Sequence, residues 1–152
     1  MLGILIVANN PSAVTRFAAR FATPAVRWLA LLGLCAAYLQ GGFNKATDFP
    51  GAIAEMQHFG LSPERPFALA VIALELVASV MILTGIGRWL GALALAAFTL
   101  MATVLALRFW EMAPPARFMA ANSFFEHLGL VGGFLLVAWH DLHERAATGR
   151  PA

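Results

Sequence analysis

Four blocks of apolar residues, Val26–Phe43, Phe67–Ile86, Trp89–Phe109 and Phe118–Trp139, alternate with short polar or proline-bearing stretches. Each block is about as long as the roughly 20 helical residues that cross a bilayer. Lipid offers open backbone groups no hydrogen-bond partner, so all four are predicted to be helices. The fourth is the least regular. Its clean stretch, LGLVGGFLLVAW, is short for a span, and the longer version takes in Asn122, Ser123, Glu126 and His127. It reads as a span because Glu75, an acid inside the second block, needs polar company within a membrane.

The connections sharpen this pattern. TGIGR joins the second and third blocks so tightly that they must form an antiparallel hairpin. The loop after the first block predicts a short helix, with Pro50 suited to its first turn and Gly60 to its C-terminal cap. Ile53, Met56, Gln57 and Phe59 make that helix a lid over the end of the bundle. The second long loop is stopped by Pro114 and Pro115. Before the first block, from Ser12 to Phe21, Val14, Phe17, Ala18 and Phe21 share a helical face apart from Arg16 and Arg20, the pattern of a helix lying in the membrane surface. The expected organisation is an N-terminal segment over 1–25 with this interfacial helix, a membrane domain over 26–140, and a polar tail over 141–152. The fold class is all-α, an integral membrane four-helix bundle.

Composition agrees. Of 152 residues, 61% are hydrophobic and 12% charged, against about 45–50% and 25% in soluble domains. The net charge of +2 is spread along loops, which gives nucleic-acid binding no support. With four spans both termini share one side. That side carries Arg16, Arg20, Arg27, Arg88, Arg145 and Arg150, and the other carries Lys45, Arg65, Arg108 and Arg117. The bias predicts a bacterial inner membrane protein with both termini cytoplasmic, with Trp28, Trp89 and Trp139 at one interface and Trp110 at the other.

Chemistry is sparse. A single cysteine, Cys35, excludes an intramolecular disulfide, a C-x-x-C dithiol and a four-thiolate cluster, and reads as a small packing residue. Any redox chemistry therefore belongs to a bound cofactor or a partner. No Gly-rich phosphate loop or nucleophile–base arrangement is legible, so hydrolase chemistry has no support. The polar residues within the spans fall on helical faces. Ala68, Ile72, Glu75, Ser79 and Ile82 follow one face; Ala92, Ala96, Thr99, Thr103 and Ala106 another; Asn122, Glu126, Gly129 and Gly133 a third, with His127 beside it. In the first span Gly33, Ala37 and Gly41 form a small-residue stripe that ends in Lys45, with Gln40 and Asn44 flanking it, a spacing that lets helices approach closely. At 1.5 Å rise per residue, Glu75 and His127 both lie about 12–14 Å below the outer ends of their spans. The expected site is a polar pocket in the outer half, where Glu75 meets His127, Glu126, Asn44 or Lys45. Such a cluster either handles protons and ligands or fixes helix packing. His140 and His143, in HDLHE, are the weaker metal candidates, beside a plain reading as a solvated helix end. Met112 and Met119 offer soft sulfur to copper, or simply fill gaps.

These residues resemble the DoxX family of small membrane proteins. The resemblance rests on GGFNKATDF, ALELVASVMILTG, GRWLGALALAAFTLMAT and FFEHLGLVGGFLLVA, and covers roughly residues 26–140. It implies a four-helix membrane bundle and a link to redox metabolism, since the family takes its name from a membrane component associated with thiosulfate:quinone oxidoreductase. It implies pocket roles for Asn44, Lys45 and Glu75, and makes quinone the candidate cofactor. The resulting expectation is an accessory subunit, not an enzyme on its own, with an oxidoreductase partner and a homodimer as candidate assemblies. A small-solute or metal-related transporter or exporter and a ligand-free scaffold are the alternatives.

Overall fold

The computed structural model describes residues 13–149. A short helix, α1 (Ala13–Ala19), precedes α2 (Pro24–Thr47), α3 (Phe49–His58), α4 (Glu64–Thr84), α5 (Arg88–Ala106) and α6 (Ala116–Thr148), with a 3-10 turn at Phe109–Glu111. No strand occurs among the described residues. Four helical segments are long and apolar enough to cross a membrane: Pro24–Thr47, Glu64–Thr84, Arg88–Glu111 and Ala116–Thr148. The irregular fourth block is thus one uninterrupted helix. Its polar residues do not break it, because side chains on a helix leave the backbone ladder intact.

Local chemistry sets the boundaries. Thr23 accepts a hydrogen bond from the Val26 amide at 3.3 Å, and Pro24 occupies the first turn of α2. Asp48 closes α2 and then caps α3, its carboxylate accepting from the Gly51 amide at 3.1 Å, with Pro50 in the first turn as expected. Gly60 follows the end of α3 at φ 68°. The α4–α5 turn needs two left-handed residues, Gly85 (φ 84°) and Gly87 (φ 62°), and Arg88 ties it down by donating from Nε to the Ile82 carbonyl at 2.9 Å.

Around the bundle, α2 packs on α4, α4 on α5 and α5 on α6, while the α2 and α6 backbones come close at few positions and meet through side chains. The core comprises Leu31, Cys35 and Tyr38 from α2, Ala78 and Ile82 from α4, Ala92, Leu95 and Ala96 from α5, and Phe134 and Ala138 from α6. The Tyr38 and Phe134 rings meet edge to face with centroids 5.3 Å apart. The helix α3 lies on α4, where Ala52 and Met56 pack with Ala68, flanked by Ile53 and Leu61.

Small residues pack differently from the expectation. Nothing lies within 4 Å of a Cβ placed at Gly33 or Gly129, whereas one at Gly42 falls 2.9 Å from the Leu76 side chain and one at Gly91 falls 2.7 Å from the Ala78 carbonyl oxygen. The close α2–α4 approach is therefore at Gly42, one residue and about 100° around the helix from the predicted stripe. In α6 the packing glycine is Gly133, where a Cβ would fall 3.2 Å from the Leu34 side chain. Before the bundle, the chain forms a single short helix over Ala13–Ala19, with Val14, Phe17 and the following Phe21 exposed. Ser12, where that helix was expected to begin, lies outside the described residues.

Candidate functional site

Ala37, Gly41 and Lys45, the C-terminal part of the predicted stripe, line a cavity instead of a helix seam. The cavity holds about 360 Å³ and lies between α2, α4, α5 and α6 beneath α3. Short side chains on α2 leave the space, and Met56 and Phe59 roof it, so the lid expected from the loop is the α3 helix itself. Most of the wall is apolar, including Phe67, Val71, Phe98 and Leu130.

Glu75 is buried on this wall at 6% exposure. Lys45, itself only 18% exposed at its side chain, places Nζ 3.2 Å from one Glu75 oxygen and 3.3 Å from the other. On its other side Lys45 lies 4.0 Å from Glu55 of α3, linking the lid to the buried pair. The Ser79 hydroxyl donates to the Glu75 backbone carbonyl at 2.6 Å, which anchors the next turn of α4.

Across the cavity a second polar set joins three helices. Thr99 donates its hydroxyl to the Leu95 carbonyl and Thr103 to the Thr99 carbonyl, each at 2.6 Å. A hydroxyl has one proton, so both threonine oxygens are then acceptors toward their remaining partners. Tyr38 consequently donates to Thr99, and His127 donates Nδ1–H to Thr103 across 3.0 Å. In the neutral ring this leaves Nε2 as an acceptor, on a residue that lines the cavity.

The five predicted site residues therefore separate. Glu75, Lys45 and His127 share the cavity. Asn44 and Glu126 are exposed and outside its wall, each one residue and about 100° around its helix from Lys45 and His127, so neither pair can face the same way. Gln40 is exposed as well. Among the described residues no group of three His, Cys, Asp or Glu side chains gathers to hold a metal. His140 instead lies 3.6 Å from Glu144, and His143 stacks on Trp139 with ring centroids 5.3 Å apart.

Sequence reasoning missed Tyr38 and Asp141. Tyr38 follows Leu31 and Cys35 at helical spacing on the buried face of α2, and Asp141 follows Phe134 and Ala138 on that of α6, so both were readable from periodicity. The HDLHE run is solvated except at Asp141. Asp141 is buried, accepts from the Trp89 amide at 3.3 Å and from Arg145 Nε at 2.9 Å, and lies 3.7 Å from Arg88.

The sequence profile of the DoxX family matches residues 27–108, more than half of the chain. The match includes Lys45, Glu75, Tyr38 and the two threonines, and ends before His127. No curated protein and no solved structure gives a significant match.

Proposed function

The chain belongs to the DoxX family of membrane proteins, and on that premise we propose that it is an accessory, partner-dependent subunit of a quinone- or thiol-linked redox system. The observation that carries this reading is the buried Lys45–Glu75 pair on the wall of a largely apolar cavity of about 360 Å³. That size and lining match small-molecule sites, which are mostly apolar with a few converging polar groups.

The residues fit a quinone. Lys45 offers ammonium hydrogens to a carbonyl oxygen of the oxidised group, His127 Nε2 accepts from a hydroxyl of its reduced, quinol form, and Phe67, Val71 and Leu130 cover an apolar ring or tail. A bound quinone supplies reversible two-electron, two-proton chemistry. The protein's own part is to orient that group, exclude water beneath α3, and hold a proton at Glu75 or His127. With Cys35 as the only cysteine and sealed in the core, electrons must come from a partner oxidoreductase. The packed layer of Tyr38, Leu95 and Phe134 below the cavity supports a closed pocket over a transport path. The Lys/Arg bias supports an inner membrane location with cytoplasmic termini, and the apolar face of α1 supports its lying in the membrane surface.

Gentle affinity purification followed by mass spectrometry of proteins and small molecules tests the reading. The expected result is a co-purifying quinone and an oxidoreductase, with the quinone lost from Glu75→Gln and Lys45→Met variants that still fold. Folded wild-type protein that retains no small molecule, and whose melting point added quinone does not shift, would overturn it. Solute flux into liposomes would point instead to a transporter.

A further inference from the structure

A second hollow lies on the flank of the bundle, at the end where α2 begins and α6 finishes, far along these helices from Lys45 and His127. The α2 and α6 backbones come close at few positions, which leaves a groove of about 390 Å³ between them, bridged by side chains. Its length is apolar, lined by Leu31, Leu34, Leu136 and Val137. One end is cationic, where Arg27, Arg88 and His140 converge.

Two further features bear on what fits there. Trp28 and Trp139, exposed at 48% and 62%, stand beside Arg27 and His140, at the level where indoles mark a membrane–water boundary. Carboxylates stand among the arginines at this end. Arg27, Arg88 and Arg145 face two carboxylates: Glu144 pairs with Arg27 at 2.9 Å, and Asp141 lies 3.7 Å from Arg88 and 2.9 Å from Arg145. His140, 3.6 Å from Glu144, adds a further donor. The Arg27–Glu144 pair is about half exposed on both sides, so its net strength is small and a stronger anion can compete for Arg27.

We propose that this groove holds an anionic phospholipid, with an acyl chain along the apolar residues and the phosphate among Arg27, Arg88 and His140. A basic pocket between helices at headgroup level above an apolar furrow matches such a molecule in both charge and shape. A zwitterionic lipid fills the furrow equally well but brings its own cation to the arginines. Glu144 acts as the competitor that the phosphate displaces from Arg27.

The test is a titration of the purified protein in mild detergent with phosphatidylglycerol or phosphatidylcholine of matched chains, read as lipid retained in native mass spectrometry. Phosphatidylglycerol is expected to be retained preferentially. Arg27→Gln should weaken it about fivefold, from about 1 kcal/mol per basic residue near an anionic surface, and Glu144→Gln should strengthen it by removing the competitor. Equal retention of the two lipids, or weakening by both variants, would overturn the proposal, as would inorganic phosphate alone displacing the bound lipid. If Arg27→Gln does not fold, the direction of the Glu144→Gln change decides.

Discussion

Lys45 and Glu75, thirty residues apart in sequence, meet with Nζ within 3.2–3.3 Å of both carboxylate oxygens, and both side chains are largely shut off from solvent. Removing one partner of such a pair strands a buried charge, whereas replacing both with apolar groups removes the desolvation cost as well. Lys45→Met is expected to lower stability by about 3–5 kcal/mol, and Lys45→Met/Glu75→Leu to recover most of that loss. Unfolding titrations in detergent of the wild type, both single variants and the double variant measure the coupling. A double variant as unstable as Lys45→Met would mean that side-chain shape, not charge, holds α2 to α4 here.

Glycines that look alike in the sequence should respond oppositely to a methyl group. At Gly91 the added carbon would lie 2.7 Å from a backbone oxygen, which cannot rotate away, while at Gly33 and Gly129 it would meet nothing within 4 Å. Gly91→Ala is expected to cost about 1–3 kcal/mol through overpacking of the α4–α5 hairpin. Gly33→Ala and Gly129→Ala are expected to be neutral or to stabilise by up to about 1 kcal/mol, since alanine is the better helix former. The same unfolding titration checks all three.

This contrast marks how far the sequence is legible. Hydropathy located the four spans, and turn chemistry located the α4–α5 hairpin, the Pro50 start of α3 and the lid, because those features are written in neighbouring residues. The buried faces of α4 and α5 were equally plain, with Ala68, Glu75, Ser79 and Ile82, and Ala92, Ala96, Thr99 and Thr103, all buried. What periodicity alone could not fix was rotation. Whether Gly41 or Gly42 meets α4, and whether Glu126 or His127 faces the interior, turns on about 100° of helix, and in a chain this apolar the lipid face and the core face are nearly alike. Tyr38 and Asp141 were overlooked for a different reason. Each falls on a buried face that the pattern marks, but outside the face shared with Glu75.

The hydrogen-bond chain from Thr99 through Thr103 to His127 fixes a tautomer. Since Thr103 donates to the Thr99 carbonyl, its oxygen must accept from His127 Nδ1–H. Thr103→Val keeps the side-chain shape and removes that acceptor. The neutral imidazole of His127 is expected to be the Nδ1–H form in the wild type and to shift toward Nε2–H in the variant. Nitrogen-15 chemical shifts of the labelled ring, recorded at a pH where it is neutral, distinguish the two. An unchanged Nδ1–H population in Thr103→Val would mean that another group sets the ring.

Gly41 offers a way to separate the cavity from the fold. A Cβ there would sit 3.5 Å from Lys45 Nζ and 3.6–3.7 Å from the Glu75 oxygens, ordinary contact distances, so the backbone does not require glycine at this position. A longer side chain would extend into the cavity and occupy space beside the ion pair. Gly41→Ala is therefore expected to fold and to keep most ligand binding, while Gly41→Leu should fold with a loss of no more than about 1–3 kcal/mol and lose the co-purifying small molecule. If Gly41→Leu melts like the wild type yet retains the same quantity of that molecule, the molecule binds elsewhere, and the Lys45–Glu75 pair serves only to join α2 to α4.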